Sequence, residues 1–117
     1  MNIVVMPAGE YWLTDPCYAI PDEEWSSWVE RAEAGGDVMC APVRGHMVMA
    51  FATAYGDGVY DGVPVDSGLI GLVPTRVASR SFVGRSVLVP DGESLICVRH
   101  DDGRLVFGTI SIETATE

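Results

Sequence analysis

Short apolar runs, each closed by Gly, Asp or Pro, follow one another along almost the whole chain, and this punctuation most constrains its fold. Runs of that length bounded by turn residues suit β-strands rather than helices. Strands are expected over Asn2–Met6, Glu10–Leu13, Val38–Val43, Met47–Ala54, Val63–Val65, Leu69–Val73, Arg76–Phe82, Ser86–Val89, Leu95–His100 and Arg104–Ile112. Pro7-Ala8-Gly9 breaks the first two apart, and Pro64 confines its strand to a sheet edge. Arg44-Gly45-His46 and Asp66-Ser67-Gly68 read as turns, and Asp102-Gly103 as a type I′ hairpin pair. Connections this tight favour antiparallel pairing.

One segment breaks the pattern. Pro21-Asp22-Glu23-Glu24 has the proline and acids of a helix N-terminus, and Trp25, Trp28, Val29 and Ala32 recur at helical spacing. A helix over residues 22–34, closed by Gly35-Gly36, follows. The expected fold is α+β and β-rich: a mainly antiparallel sheet, sandwich or small barrel with one amphipathic helix on a face. At 117 residues the chain has the length of one domain, 1–117.

Charge narrows the partners. Seventeen acids against seven arginines, with no lysine, give a net charge of −10. Such a field repels long nucleic acids. No apolar run is long enough to span a bilayer. Cys17, Cys40 and Cys97 are odd in number and widely spaced, which fits neither a disulfide framework nor a zinc site; a reducing cytoplasm is the expected setting. Cys40 and Cys97 lie in apolar runs and are expected to be buried.

Two clusters concentrate chemistry. Thr14-Asp15-Pro16-Cys17-Tyr18 is one; Tyr55-Gly56-Asp57-Gly58-Val59-Tyr60-Asp61-Gly62 with Asp66-Ser67-Gly68 is the other. Asp15, Asp57 and Asp66 are the candidate acid–base residues, and would also suit an oxygen-preferring cation, although no known calcium-loop spacing is present and no cofactor or metal is expected. Asp and Gly equally build turns. Tyr11, Trp12, Tyr18, Tyr55 and Tyr60 border the two clusters and can stack a ring or hydrogen-bond a ligand, and equally can cover a core edge. Cys17 and Ser67 lie among them as ligand contacts. A third feature is local charge reversal: residues 75–90 hold Arg76, Arg80 and Arg85 with three serines and no acid. Arg76 and Arg80 would share a strand face and suit a phosphate; surface arginines paired with nearby acids are the plainer reading.

The order of Asp15-Pro16-Cys17-Tyr18, a Trp-bearing helix, Gly56-Asp57-Gly58-Val59-Tyr60 and Val65-Asp66-Ser67-Gly68 resembles that of a group of small phage and bacterial proteins. The resemblance spans roughly residues 10–70. It implies a compact β-rich fold and a phage or mobile-element setting, and no reaction. By analogy with small phage accessories, the expectation is a cytoplasmic, anti-defence protein. It would sequester a small anionic, nucleotide-like ligand through Asp15, Cys17, Tyr18, Tyr55, Asp57, Tyr60, Asp66, Ser67, Arg76 and Arg80. A small phosphodiesterase-like hydrolase and an acidic protein-interaction module are the alternatives, and a homodimer is compatible with each.

Overall fold

The computed structural model describes residues 1–33 and 36–115. Nine strands and two helices follow in the order β1 (Asn2–Thr14), α1 (Pro16–Ala19), α2 (Asp22–Ala32), β2 (Val38–Val43), β3 (His46–Ala52), β4 (Gly58–Tyr60), β5 (Val63–Val65), β6 (Leu69–Pro74), β7 (Arg85–Arg99), β8 (Arg104–Phe107) and β9 (Ile110–Glu113). Seven strands form one antiparallel sheet in the order β2-β3-β6-β1-β7-β8-β9; β4 and β5 form a separate hairpin. The fold is therefore β-rich α+β, as expected. No described helix is long and apolar enough to cross a membrane.

The sheet curls strongly. Phe51 on β3 and Phe107 on β8 have ring centroids 5.8 Å apart, although β6, β1 and β7 lie between their strands in the sheet. Only a sheet bent round on itself brings them together. Across the same gap Arg99 Nε donates to the Ala52 carbonyl at 2.7 Å and Ala54 N–H to Thr114 Oγ1 at 3.0 Å. The concave face encloses Met6, Tyr11, Leu13, Phe51, Ile70, Leu72, Leu105 and Phe107. The β4–β5 hairpin adds Tyr60, Val63 and Val65 to this core.

The convex face at β2, β3 and β6 carries the second core, packed against the helices. Trp28 is fully buried there, and its Nε1 donates to the Ala41 carbonyl at 3.0 Å. Strand β6 is covered on both faces: Ile70 and Leu72 enter the inner core, Leu69 and Val73 the outer one. Between them Gly71 lets β6 lie close against β3. An added Cβ would stand 1.9 Å from the Met49 carbonyl oxygen.

The hairpins at Arg44-Gly45 and Asp61-Gly62 each have two consecutive positive φ values, the type I′ signature. Elsewhere the structure corrects the strand boundaries. The two expected N-terminal strands are the single strand β1, with a register shift between Pro7 and Gly9. Ser86–Val89 and Leu95–His100 belong to one strand, β7, whose residues 90–93 bulge out opposite Ala8. Residues 76–82 form turns instead of a strand, because the Pro74 carbonyl accepts from both Val77 N–H and Ala78 N–H. The Asp102-Gly103 turn is a wider loop over residues 100–103, in which Gly103 alone has positive φ. Arg104–Ile112 is split into β8 and β9. Helix α2 ends at Ala32; Ala34 and Gly35, in the expected helix end, lie outside the described residues.

Candidate functional site

The first cluster begins where β1 ends. Pro16 cannot extend the ladder, and its ring favours the first position of a helix. Asp15 becomes the cap of α1, with φ −66° and ψ 122°, and accepts the Cys17 N–H at 3.0 Å. Its other oxygen accepts the N–H groups of Asp66 (2.8 Å) and Ser67 (2.7 Å), and Ser67 Oγ donates to Oδ1 at 2.5 Å. A carboxylate offers about four lone-pair sites. All four are taken, and the residue has no exposed surface. Asp15 is thus a staple between the two clusters and presents no acceptor to a ligand.

The other site candidates separate. Tyr60 is buried in the inner core with its hydroxyl donating to the Gly56 carbonyl at 3.1 Å, so its ring is not open to stacking. The same carbonyl accepts Thr53 Oγ1 at 2.6 Å, closing the turn that carries Tyr55 and Asp57. Both of those side chains are exposed, and neither lines a hollow with the arginines. Cys17 is half-buried; burial first, then the Asp15 charge, pushes its thiol up to about 12, which opposes a thiolate nucleophile at neutral pH. Cys97 is buried as expected, and burial pushes it up to about 12. Cys40, by contrast, is exposed, because β2 is an outer strand and only its alternate side chains face α2.

Tyr18 does meet the arginines. It projects from α1 at 38% exposure, and the nearby Asp66 carboxylate, which favours the protonated phenol, pushes the hydroxyl up to about 12. Beside it a hollow of about 890 Å³ opens between the start of α2 and residues 75–82. Arg76, Arg80, Ser79 and Ser81 line one wall, Trp12, Tyr18 and Phe82 another. Asp22, Glu23 and Glu24, from the first turn of α2, also line it. Phe82 meets Trp12 edge-on, with centroids 5.7 Å apart. A smaller hollow of about 420 Å³ shares Tyr18, Ser81 and Phe82 and contains Arg85.

The arginine wall is well anchored. Ser79 N–H donates to the Ala19 carbonyl at 2.7 Å, Val77 is buried, and Arg44 Nη2 donates to the Val77 carbonyl at 2.7 Å. Arg44 also pairs with Glu24 at 3.2 Å, and Arg99 with Asp37 at 3.7 Å. Among the described residues Arg76, Arg80 and Arg85 make no ion pair. The described residues also contain no group of three metal-ligating side chains.

Trp12 borders the first cluster in the sequence, but neither it nor Phe82 is among the residues expected to hold the ligand. Strand alternation carried the signal for Trp12, since Tyr11 and Leu13 on either side face the inner core. Phe82 has no comparable signal, because it sits in a turn. No protein-family profile matches the chain, and neither a curated protein nor a solved structure is significantly similar to it.

Proposed function

We propose that the protein binds a small anionic ligand carrying a flat ring and sequesters it without turnover. The supporting observation is the meeting, in one hollow, of two guanidiniums that make no ion pair among the described residues, Arg76 and Arg80, with the aromatic wall of Trp12, Tyr18 and Phe82. A guanidinium fork binds phosphate or carboxylate through paired N–H donors, and an aromatic face accepts a ring. The acidic first turn of α2 confines the anionic part to the arginine side and disfavours long polyanions. A nucleotide or cyclic nucleotide has this chemistry. The motif order of small phage proteins suggests the setting: an accessory that withholds a nucleotide-derived defence signal in the host cytoplasm.

The test is one incubation of the purified chain with a nucleotide panel, including cyclic dinucleotides and ADP-ribose derivatives. The free fraction and the fraction released by heating are compared by mass spectrometry. A nucleotide depleted from solution and returned intact supports the reading, provided that Arg76→Gln with Arg80→Gln abolishes the depletion. A changed mass would replace it with the hydrolase. No depletion of any compound would reject it.

A further inference from the structure

The inner strand β1 is only half covered. Tyr11–Thr14 pair with β6 on one side and Glu10–Leu13 with β7 on the other; Asn2–Pro7 pair with β7 alone. The cause is local. Pro74 ends β6, Thr75 N–H makes a last bond to the Glu10 carbonyl at 3.0 Å, and the chain then turns away. Among the described residues the sheet has no strand beside the N-terminal half of β1.

That open edge is guarded only at its far end. Natural edges are defended by charge, bulges or proline. Residues 1–8 contain no charged side chain in a chain of net charge −10, and only Pro7 with its register shift interrupts the edge. Ile3 and Val5 stand 60% and 57% exposed on the outer face, beside the equally open Ile96 that pairs with Val5. At the far end the edge runs into a hollow of about 660 Å³. Tyr11 and Met47 supply apolar wall there, and Glu10, Asp91, His46 and Arg76 its titratable groups. Neither carboxylate makes an ion pair among the described residues.

We propose that this edge is a docking site for an extended peptide segment of another protein, which adds a strand to β1 and places a lysine or arginine in the hollow. Main-chain bonds along an edge give affinity, and a pocket for one side chain gives specificity. The long stem of a basic residue lies along Tyr11 and Met47 while its cation meets Glu10 and Asp91. A second copy of the chain fits less well. Its own β1 segment offers no basic side chain for the hollow, and two chains of net charge −10 repel.

The experiment pans a random ten-residue peptide library on the full chain and, in parallel, on the Glu10→Lys/Asp91→Lys variant. Both substituted residues are exposed. The expected peptides alternate β-branched and polar residues, carry Lys or Arg near one end, and slow amide exchange at edge-facing positions of Ile3–Met6 by about tenfold or more. They lose at least about tenfold in affinity on the variant, and affinity for the unaltered chain falls as salt rises. If the variant does not fold, the salt dependence decides the same point. No enrichment, equal binding to a folded variant, or salt-independent affinity would overturn the proposal. So would sedimentation showing a dimer whose Ile3–Met6 amides are already protected, since the edge would then belong to a second copy.

Discussion

Replacing Asp15 by Asn should destabilise the fold heavily while hardly changing side-chain volume. The carboxylate receives four donors in a fully buried site. An Asn amide has one oxygen. It must remain at the Oδ2 position, where the Asp66 and Ser67 N–H groups converge at 2.8 and 2.7 Å. The NH₂ then replaces Oδ1. Ser67 Oγ can rotate to accept from it, but the Cys17 N–H is left facing another donor. One bond is lost, an amide N–H is stranded, and the remaining bonds lose their charge assistance. With hydrogen bonds to charged groups contributing roughly 1.5–3 kcal/mol each, the expected loss is about 3 kcal/mol. Asp15→Ala strands every donor and should lose about 5 kcal/mol, near the whole stability of a small domain. Urea unfolding followed by Trp fluorescence reads the difference. With an m-value of about 1.5 kcal/mol per molar, the Asn variant's midpoint should drop by about 2 M. A midpoint within about 0.3 M of the parent would refute the staple. So would strict additivity of Asp15→Asn and Ser67→Ala, because contacting residues couple by at least about 0.5 kcal/mol.

Gly71→Ala forces a Cβ to 1.9 Å from the Met49 carbonyl oxygen and 2.6 Å from the Ala50 Cα, both backbone atoms. A loss of about 3 kcal/mol is expected, and thermal melting that leaves Tm unchanged would contradict the close approach of β3 and β6. For the ligand found by the nucleotide panel, Arg76→Gln and Arg80→Gln should each raise Kd about tenfold, as removal of one charge-assisted bond does, with Tm preserved; calorimetric titration in which neither variant weakens binding would move the anion elsewhere. Stability should fall as pH rises from about 9 to about 12. Cys17, Cys97 and Tyr18 all keep their protons to about 12 in the folded chain, so the unfolded chain, with ordinary thiols and phenol, binds fewer protons in that window. Urea midpoints measured across it should decline, and decline less in Cys97→Ala relative to that variant's own value at neutral pH; a flat profile would count against the burial of the two thiols and the effect of Asp66 on Tyr18.

Much of the architecture is legible in the residues because local chemistry and tertiary structure agree there. The α2 segment has its acids at one end and Trp28 and Ala32 on the buried face. The Arg44-Gly45 turn lies where the apolar runs break. The strand errors have a shared origin. Pro7 and Pro90 each look like a strand end, but both lie in the same irregular stretch of the β1–β7 pairing, where Ala8 faces residues 90–93. One irregularity absorbs the other, and both strands continue. No local signal reports such a match. Residues 76–82 fail for the opposite reason: spacing suited to a strand is overridden by the Pro74 carbonyl, which bends the backbone into a turn.

The acidic clusters are legible as places but not as roles, because Asp can cap, staple, turn or face solvent with the same neighbours. Asp15 is bound by donors about fifty residues away, Asp61 turns a hairpin with φ 50°, and Asp66 acts on the Tyr18 hydroxyl. These roles form a chain of support. Asp15 fixes the backbone of Asp66 and Ser67, the Asp66 carboxylate acts on the Tyr18 phenol, and the Tyr18 ring forms a wall common to two hollows. The carboxylates that look most catalytic in sequence therefore act one step behind the hollow, as positioning residues. The arginines that line the hollow without an ion pair among the described residues come instead from a segment that carries no acid at all. Beside the aromatic side chains of the hollow, Arg76 and Arg80 keep their guanidinium forks clear of any ion pair among the described residues, and the proposed anion site rests on that combination.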